Sequence, residues 1–262
     1  MKKGLIIIIR SSLLVYVGLV ATLYLMQESL LFLPQTTASD FKYRYDAQEV
    51  FLPVTNATLH GLYFKNENPE GLILYFHGNA GSLQDWGSVC EPLVALNFNC
   101  LIFDYRGYGK STDKIKNQTQ WFNDAEAMFE YAQTSSSLPL ILYGRSVGTS
   151  MASYLAGKHI VDRVILETAP YAFTEVAQTL YPHVPVKWLL KYKFKNAQHL
   201  LTNKNPTLLI HGTQDEAIPY AQFQKLATTF PNYQTLSIEG GMHNDLSRFE
   251  EYWFGLEAFL VR

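Results

Sequence analysis

The sequence predicts an α/β fold with a mostly parallel central sheet and helices on both faces. Three observations predict it. From Ile73 onward, short apolar runs of strand length alternate with longer stretches of helical pattern. Three of those runs end in loops that carry a serine, an aspartate and a histidine, at strand carboxyl ends, where open α/β sheets build their sites. The chain has 262 residues, 48% of them apolar, enough for one large core.

The elements follow in order. Residues 5–26 are largely apolar apart from Arg10, Ser11 and Ser12. At ~1.5 Å per residue such a helix can cross a ~30 Å hydrocarbon core. Arg10 lies near one end, where its side chain can snorkel towards head groups. Lys2 and Lys3 precede the segment and Glu28 follows it, a bias that puts the amino terminus in the cytoplasm and the rest of the chain on the non-cytoplasmic side. A cleaved signal peptide is the rival, but no good small-x-small site stands here: Leu19 lies two residues before Ala21. Residues 1–33 are therefore expected to be an anchor with its juxtamembrane segment, and 34–262 one globular domain.

A polar connector, 35–46, leads to two strand-like runs, 49–54 and 58–64, with Asn56-Ala57 as their hairpin turn. Strands are then expected at 73–76, 100–105, 140–143 and 164–167, with helices near 83–96 and 120–132 and from 149 to 158. Residues 171–205 break the rhythm with Pro182, Pro185 and a cluster of aromatics, and are expected to form a short cap or lid. Two further strand runs end in Asp215 and in the loop of His243.

The chemistry starts at Gly144-Arg-Ser-Val-Gly148, between a buried-strand run and a helical stretch. A G-x-S-x-G elbow needs glycines on both sides because its serine sits in a strained strand-to-helix turn. Alone the pattern is weak, since average usage gives a chance match in roughly one chain in ten of this length. Partners strengthen it. Serine needs a base to take its proton and a carboxylate to orient that base. Ser146 is the candidate nucleophile, His243 the general base and Asp215 the orienting acid, with Glu167, also at a strand end, the alternative acid. The oxyanion of a tetrahedral intermediate needs N–H donors. Val147, directly after the nucleophile, and Asn79, in the loop Phe76-His-Gly-Asn-Ala-Gly81, are expected to supply them. No cofactor and no metal enter this scheme.

The order Ser146, Asp215, His243 is that of the α/β-hydrolase architecture. With Phe76-His-Gly-Asn-Ala-Gly81, Phe103-Asp-Tyr-Arg-Gly-Tyr-Gly109, Tyr181-Pro-His-Val-Pro185, Ile210-His-Gly-Thr-Gln-Asp215 and His243-Asn-Asp245, the chain resembles the Bem46-like branch of the α/β-hydrolases, which includes membrane-anchored α/β-hydrolase domain proteins. The resemblance runs from about Gln27 to the end. Thr149 departs from it, standing where a glycine often continues the elbow and expected to crowd the turn. The resemblance implies a serine hydrolase with esterase, lysophospholipase or protein-deacylating activity on acyl or lipid-like small molecules. A serine peptidase or aminopeptidase of the same fold is the runner-up, and a non-catalytic binding protein the alternative from another class. If residues 186–195 form a membrane-facing lid, removing residues 1–33 is expected to leave soluble esterase activity.

Other features are expected to be structural. Gly107-Tyr-Gly109-Lys110-Ser111 fails both phosphate-loop patterns, because Asp104 and Thr112 stand where glycines are required. The 21 basic and 23 acidic residues give no field that would recruit nucleic acid. His77 and His211 are expected to satisfy loop backbone. Cys90 and Cys100 lack metal-ligand spacing and are expected to be buried, with a single bridge left open. Asn56 and Asn117 match the glycosylation pattern, a common chance event. The run 186–195 alternates aromatics and leucines with four lysines, either an ordinary cap helix with a solvated face or a membrane-facing lid.

Overall fold

The computed structural model describes residues 2–261. It opens with α1 (Lys2–Leu25), a helix with no buried residue and a mean hydropathy of 2.2, long and apolar enough to cross a membrane. Then come α2 (Gln27–Leu31), β1 (Leu33–Pro34), β2 (Gln48–Val54), β3 (Ala57–Phe64), β4 (Gly71–Phe76) and β5 (Ala80–Gly81). Next are α3 (Leu83–Trp86), α4 (Cys90–Ala95), β6 (Phe98–Phe103), α5 (Gln118–Ser135), β7 (Leu140–Arg145), α6 (Thr149–Ala156) and β8 (Arg163–Glu167). The chain closes with α7 (Phe173–Leu180), α8 (Val186–Leu189), α9 (Asn196–Leu200), β9 (Thr207–Gly212), α10 (Tyr220–Thr229), β10 (Gln234–Ile238) and α11 (Glu250–Leu260).

Eight strands form one sheet in the order β10-β9-β8-β7-β4-β6-β3-β2. β2 pairs antiparallel with β3, and β3 with β6; the remaining neighbours are parallel. The central strands are buried on both faces, and alternate side chains feed different cores. Leu72, Leu74 and Phe76 pack with Trp121, Met128 and Met151 beneath α5 and α6, whereas Ile73 and Tyr75 pack with Leu93, Leu256 and Phe259 beneath α4 and α11.

Three local expectations shift. The hairpin turn is Thr55-Asn56, with Val54 opposite Ala57 and Asn56 in the left-handed region (φ 60°) that asparagine tolerates. The helix expected over 83–96 is broken into α3, a 3₁₀ turn and α4; Gly87 passes so close to Tyr45 that a Cβ there would lie 2.3 Å from its ring. The cap is three short helices, so 186–195 is helical only in α8. Cys90 and Cys100 are both buried and unbridged. Asn117 is the N-cap of α5, its side chain accepting from the Gln120 N–H at 2.8 Å.

The segment following α1 is sewn into the globular body. Leu33 N–H donates to Asn79 C=O (2.9 Å), and Gln35 N–H to Gly81 C=O (3.0 Å), forming a two-stranded parallel β1–β5 ribbon. Phe32, 5% exposed, packs on Trp121 and Tyr192 with ring centroids 5.2 and 5.0 Å away. The expected boundary at 33/34 falls inside this ribbon.

Candidate active site

β7, β9 and β10 all end on the same edge of the sheet, and the loops that follow them carry Ser146, Asp215 and His243. Ser146 has φ 52°, a left-handed conformation that costs an L-residue about 1–3 kcal/mol and that the surroundings must hold in place. They do so by contact. A Cβ on Gly144 would lie 2.7 Å from Thr149 Cα, and one on Gly148 2.1 Å from the carbonyl oxygen of Phe76, so the elbow packs its backbone directly on the end of β4. Thr149, expected to crowd the turn, is fully buried and fastens it. Its hydroxyl donates to Ser146 C=O (2.5 Å) and accepts from Asn196 Nδ2 (3.0 Å).

The three predicted residues lie in one hydrogen-bonded line. His243 Nε2 is 3.1 Å from Ser146 Oγ, and His243 Nδ1 lies 2.8 and 3.0 Å from the two carboxylate oxygens of Asp215. With Nδ1–H donating to Asp215, Nε2 is the acceptor that faces the serine hydroxyl. Asp215 is held by the backbone of its own turn: Ala217 and Ile218 N–H donate to Oδ1 at 2.9 and 2.7 Å. Burial pushes its carboxyl up, but the hydrogen bond and charge of His243, the Ile218 N–H and His211 outweigh that and hold it below the usual carboxylate value. It is an anion at neutral pH.

Glu167 is engaged elsewhere. β7 and β8 pair with Arg145 opposite Glu167, and Arg145 Nε meets the carboxylate at 3.1 Å. Tyr143 and Tyr252 donate hydroxyls to its other oxygen at 2.5 and 2.9 Å. Burial opposes the Arg145 charge, yet Glu167 and the neighbouring tyrosines raise its pKa above the ordinary arginine value. Arg145 Nη2 also donates to His243 C=O (3.1 Å) and Asn244 Oδ1 (3.2 Å), and its guanidinium covers the Trp86 ring at 5.2 Å. Arg145 thus steadies the histidine loop from the position before the serine. The variable position of G-x-S-x-G was the only trace of it in the sequence.

Asn79 lies beside the elbow: a Cβ on adjacent Gly78 would be 3.9 Å from Ser146 Cβ. Its C=O accepts from Tyr108 Oη (2.6 Å) and Leu33 N–H, which fixes the peptide orientation, and its own N–H has no hydrogen-bond partner among the described residues. Val147 is buried next to Ser146. His77 and His211 do satisfy backbone: His77 Nδ1 lies 2.7 Å from Gly78 C=O, and His211 Nε2 2.9 Å from Ile218 C=O and 3.3 Å from Asp215. Burial pushes His77 down from 6.5 to about 4, so it is neutral at pH 7. His211 thereby braces the turn that carries Asp215, a role visible only in three dimensions.

The Gly-Lys-Ser segment is scaffolding. A Cβ on Gly109 would collide with Asp104, Lys110 Nζ bonds Phe41 C=O and Glu49, and the Ser111 hydroxyl links Asp104 C=O to His60 N–H. Arg106 is pinned by Asp124 and Asp113. No group of three His, Cys, Asp or Glu side chains among the described residues is placed to hold a metal ion.

Ser146, His243 and Asn79 open into a cavity of about 420 Å³, within the range of roughly 300–1,000 Å³ usual for ligand sites. Its walls are mainly apolar. The cap supplies Phe173, Val176, Leu180, Val186 and Leu190; α1 and α2 supply Val20, Leu23, Tyr24 and Leu31. Leu190 therefore lines the cavity, while Trp188, two residues away, is 86% exposed.

Comparison with known proteins agrees with this architecture. The family described as "Serine aminopeptidase, S33" matches residues 67–202, just over half of the chain. An uncharacterised membrane protein of Saccharomyces cerevisiae is 29% identical over 208 residues, covering 75% of this chain and 73% of the relative. The α/β-hydrolase domain-containing proteins aho-3 of Caenorhabditis elegans and 17C of Xenopus tropicalis are 31% and 30% identical over 74% and 72% of this chain. The chain spans about three-fifths of those two relatives, 58% and 61%. Among solved structures, an esterase of Pyrococcus furiosus superposes with a TM-score of 0.71 at 16% identity, over 88% of this chain and 97% of that one. A thioesterase domain from the curacin biosynthetic pathway gives 0.61 at 15%, over 83% and 100%. These two likenesses concern the fold alone. With the family match spanning β4 to α9 and an eight-stranded sheet of this order, the chain belongs to the α/β-hydrolase superfamily, in a family of serine hydrolases.

Proposed function

We propose that this chain hydrolyses carboxylic esters or thioesters of acyl or lipid-like molecules through an acyl-enzyme. Ser146 attacks the carbonyl as His243 takes its proton; Asp215 holds the imidazole in the required tautomer and stabilises its cation; the N–H groups of Asn79 and Val147 bind the oxyanion. His243 then returns the proton to the leaving group, and a water deprotonated by the same imidazole releases the acid. The observation that carries this reading is the Ser146–His243–Asp215 hydrogen-bonded line opening into an apolar cavity. The apolar walls favour an acyl chain over the runner-up peptide, whose amides would find few partners there. Complete machinery argues against a binding-only protein.

A fluorophosphonate probe followed by peptide mass spectrometry tests the proposal. The adduct is expected on Ser146; absence of labelling in folded protein, or labelling confined to another serine, overturns it.

We also read α1 as a single-pass anchor with its amino terminus in the cytoplasm and the catalytic domain on the non-cytoplasmic side, supported by Lys2, Lys3 and the membrane-protein description of the yeast relative. Protease added to the outer face of intact cells or spheroplasts is expected to digest the domain. Digestion only after lysis reverses the orientation.

A further inference from the structure

We propose that the membrane helix is itself part of the substrate site: the end of α1 forms one wall of the acyl pocket, and the chain enters that pocket sideways from the leaflet around it. This rests on the serine hydrolase reading above and adds to it the origin of the substrate, a bilayer-resident long acyl chain.

Val20, Leu23 and Tyr24 stand at i, i+3 and i+4, on one face of α1, and Gln27, Leu30 and Leu31 continue the same stripe along α2. This stripe faces the cavity that holds Ser146. Val176 and Leu180 of α7, with Leu189 and Leu190, bring in the cap, so the pocket's apolar wall comes from anchor and cap together.

That meeting is fastened by specific bonds. Gln27, 9% exposed, accepts from Lys191 N–H (2.8 Å) and donates to Leu189 C=O (3.0 Å). Lys191 Nζ lies 3.1 Å from Glu28 and 4.7 Å from the Tyr24 ring centre. Tyr16 donates to His183 C=O at 2.7 Å. Tyr16 stands nine residues before the end of α1, about 13 Å along its axis, so a membrane-crossing α1 carries the cap loop at 181–185 into the leaflet. The cap is built for that position. Leu180, Tyr181 and Trp188 are exposed there, apolar and amphipathic side chains of the kind that settle at a membrane interface, with Lys187 beside them. A chain drawn from the bilayer would pass from lipid to pocket along α1 without crossing water, while its carbonyl, near head-group level, reaches Ser146.

The experiment uses the full chain in phosphatidylcholine vesicles, with umbelliferyl palmitate dissolved in the bilayer and umbelliferyl butyrate in the water. Leu23→Trp and Val20→Trp, which fill the pocket from the helix side, are expected to lower the palmitate-to-butyrate turnover ratio about tenfold or more, the equivalent of two methylenes denied burial. Leu25→Trp, 73% exposed and on the face of the same helix turned away from Val20 and Leu23, is expected to leave the ratio unchanged. Retained fluorophosphonate labelling shows that the elbow is intact in each variant. Palmitate turnover is further expected when ester and enzyme share a vesicle and not when the ester sits in separate vesicles. An unchanged ratio in both pocket variants, an equal fall in Leu25→Trp, or equal turnover from separate vesicles overturns the proposal. Palmitoyl-lysophosphatidylcholine and an S-palmitoylated peptide in the same vesicles tell which carrier presents the chain: cleavage of either supports the proposal, and cleavage of neither overturns it. Loss of butyrate turnover and labelling in the wild type would instead sink the underlying hydrolase assignment.

Discussion

Replacing Ser146 with Ala is expected to lower ester turnover about a million-fold, and replacing Asp215 with Asn about ten-thousand-fold. The two losses differ because the residues do different things. Without the hydroxyl there is no acyl-enzyme, and only oxyanion stabilisation and binding remain. In Asp215→Asn the imidazole survives, but an amide that donates to Nδ1 selects the tautomer whose Nε2 carries the proton, and the base then faces Ser146 with nothing to accept. The contrasting variant is Glu167→Gln. Among the described residues Glu167 has no hydrogen bond to His243; it neutralises Arg145 and takes two tyrosine hydroxyls. Removing its charge leaves a largely buried guanidinium, 14% exposed, without its counter-charge, expected to cost about 3 kcal/mol of stability, while turnover per folded molecule falls far less than in Asp215→Asn. Urea denaturation and single-turnover hydrolysis of the same preparations separate the two effects. Equal turnover losses in folded Asp215→Asn and Glu167→Gln would mean that the acid is misassigned.

The second large effect concerns the amino-terminal segment. A chain lacking residues 1–33 is expected to be several kcal/mol less stable than the full chain and to lose most of its turnover of long-chain esters. Phe32 is the reason for the first loss. It fills a gap between Trp121 and Tyr192, and deleting a buried phenylalanine side chain commonly costs about 3–5 kcal/mol. Leu33 adds the hydrogen bond that orients the Asn79 peptide. Losing α2 and the end of α1 also removes a cavity wall. Phe32→Ala in the full chain isolates the packing contribution, and a chain beginning at residue 20 retains both Phe32 and the wall. Matching denaturation midpoints and acyl-chain profiles for the full chain and the chain lacking 1–33 would refute this expectation.

The contacts of that segment leave no local trace in the sequence. The strand–helix alternation from β4 to β10, the turn at Gly144–Gly148 and the loops bearing Asp215 and His243 were legible because each is written in local composition: apolar runs, flanking glycines, polar loop residues. The docking of Gln27 and Phe32 is written nowhere locally. In a leucine-rich stretch they look like the tail of a membrane helix, and their partners, Leu189, Lys191, Trp121 and Tyr192, stand about 90 to 160 positions later. The same holds for Arg145 with Glu167, brought level by strand register, and for His211 beneath Asp215. Gly87 reads as helix interior until the Tyr45 ring, 42 residues earlier, occupies the space a side chain would need. Long-range pairs decided the parts that local pattern left undecided.

The bond between Thr149 and Asn196 bears on how the cap can be exchanged. Asn196 takes up Thr149 Oγ1, Pro170 C=O and Ser153 Oγ at once, so it stands where the cap's return leg rejoins the body and touches the first turn of the elbow helix. Chimaeras that swap substrate range between relatives therefore have natural seams at Pro170 and Asn196. A graft cut inside those two residues carries over the pocket wall and leaves the serine's support untouched; a graft cut outside them changes both together, and its altered selectivity would be inseparable from a loosened nucleophile.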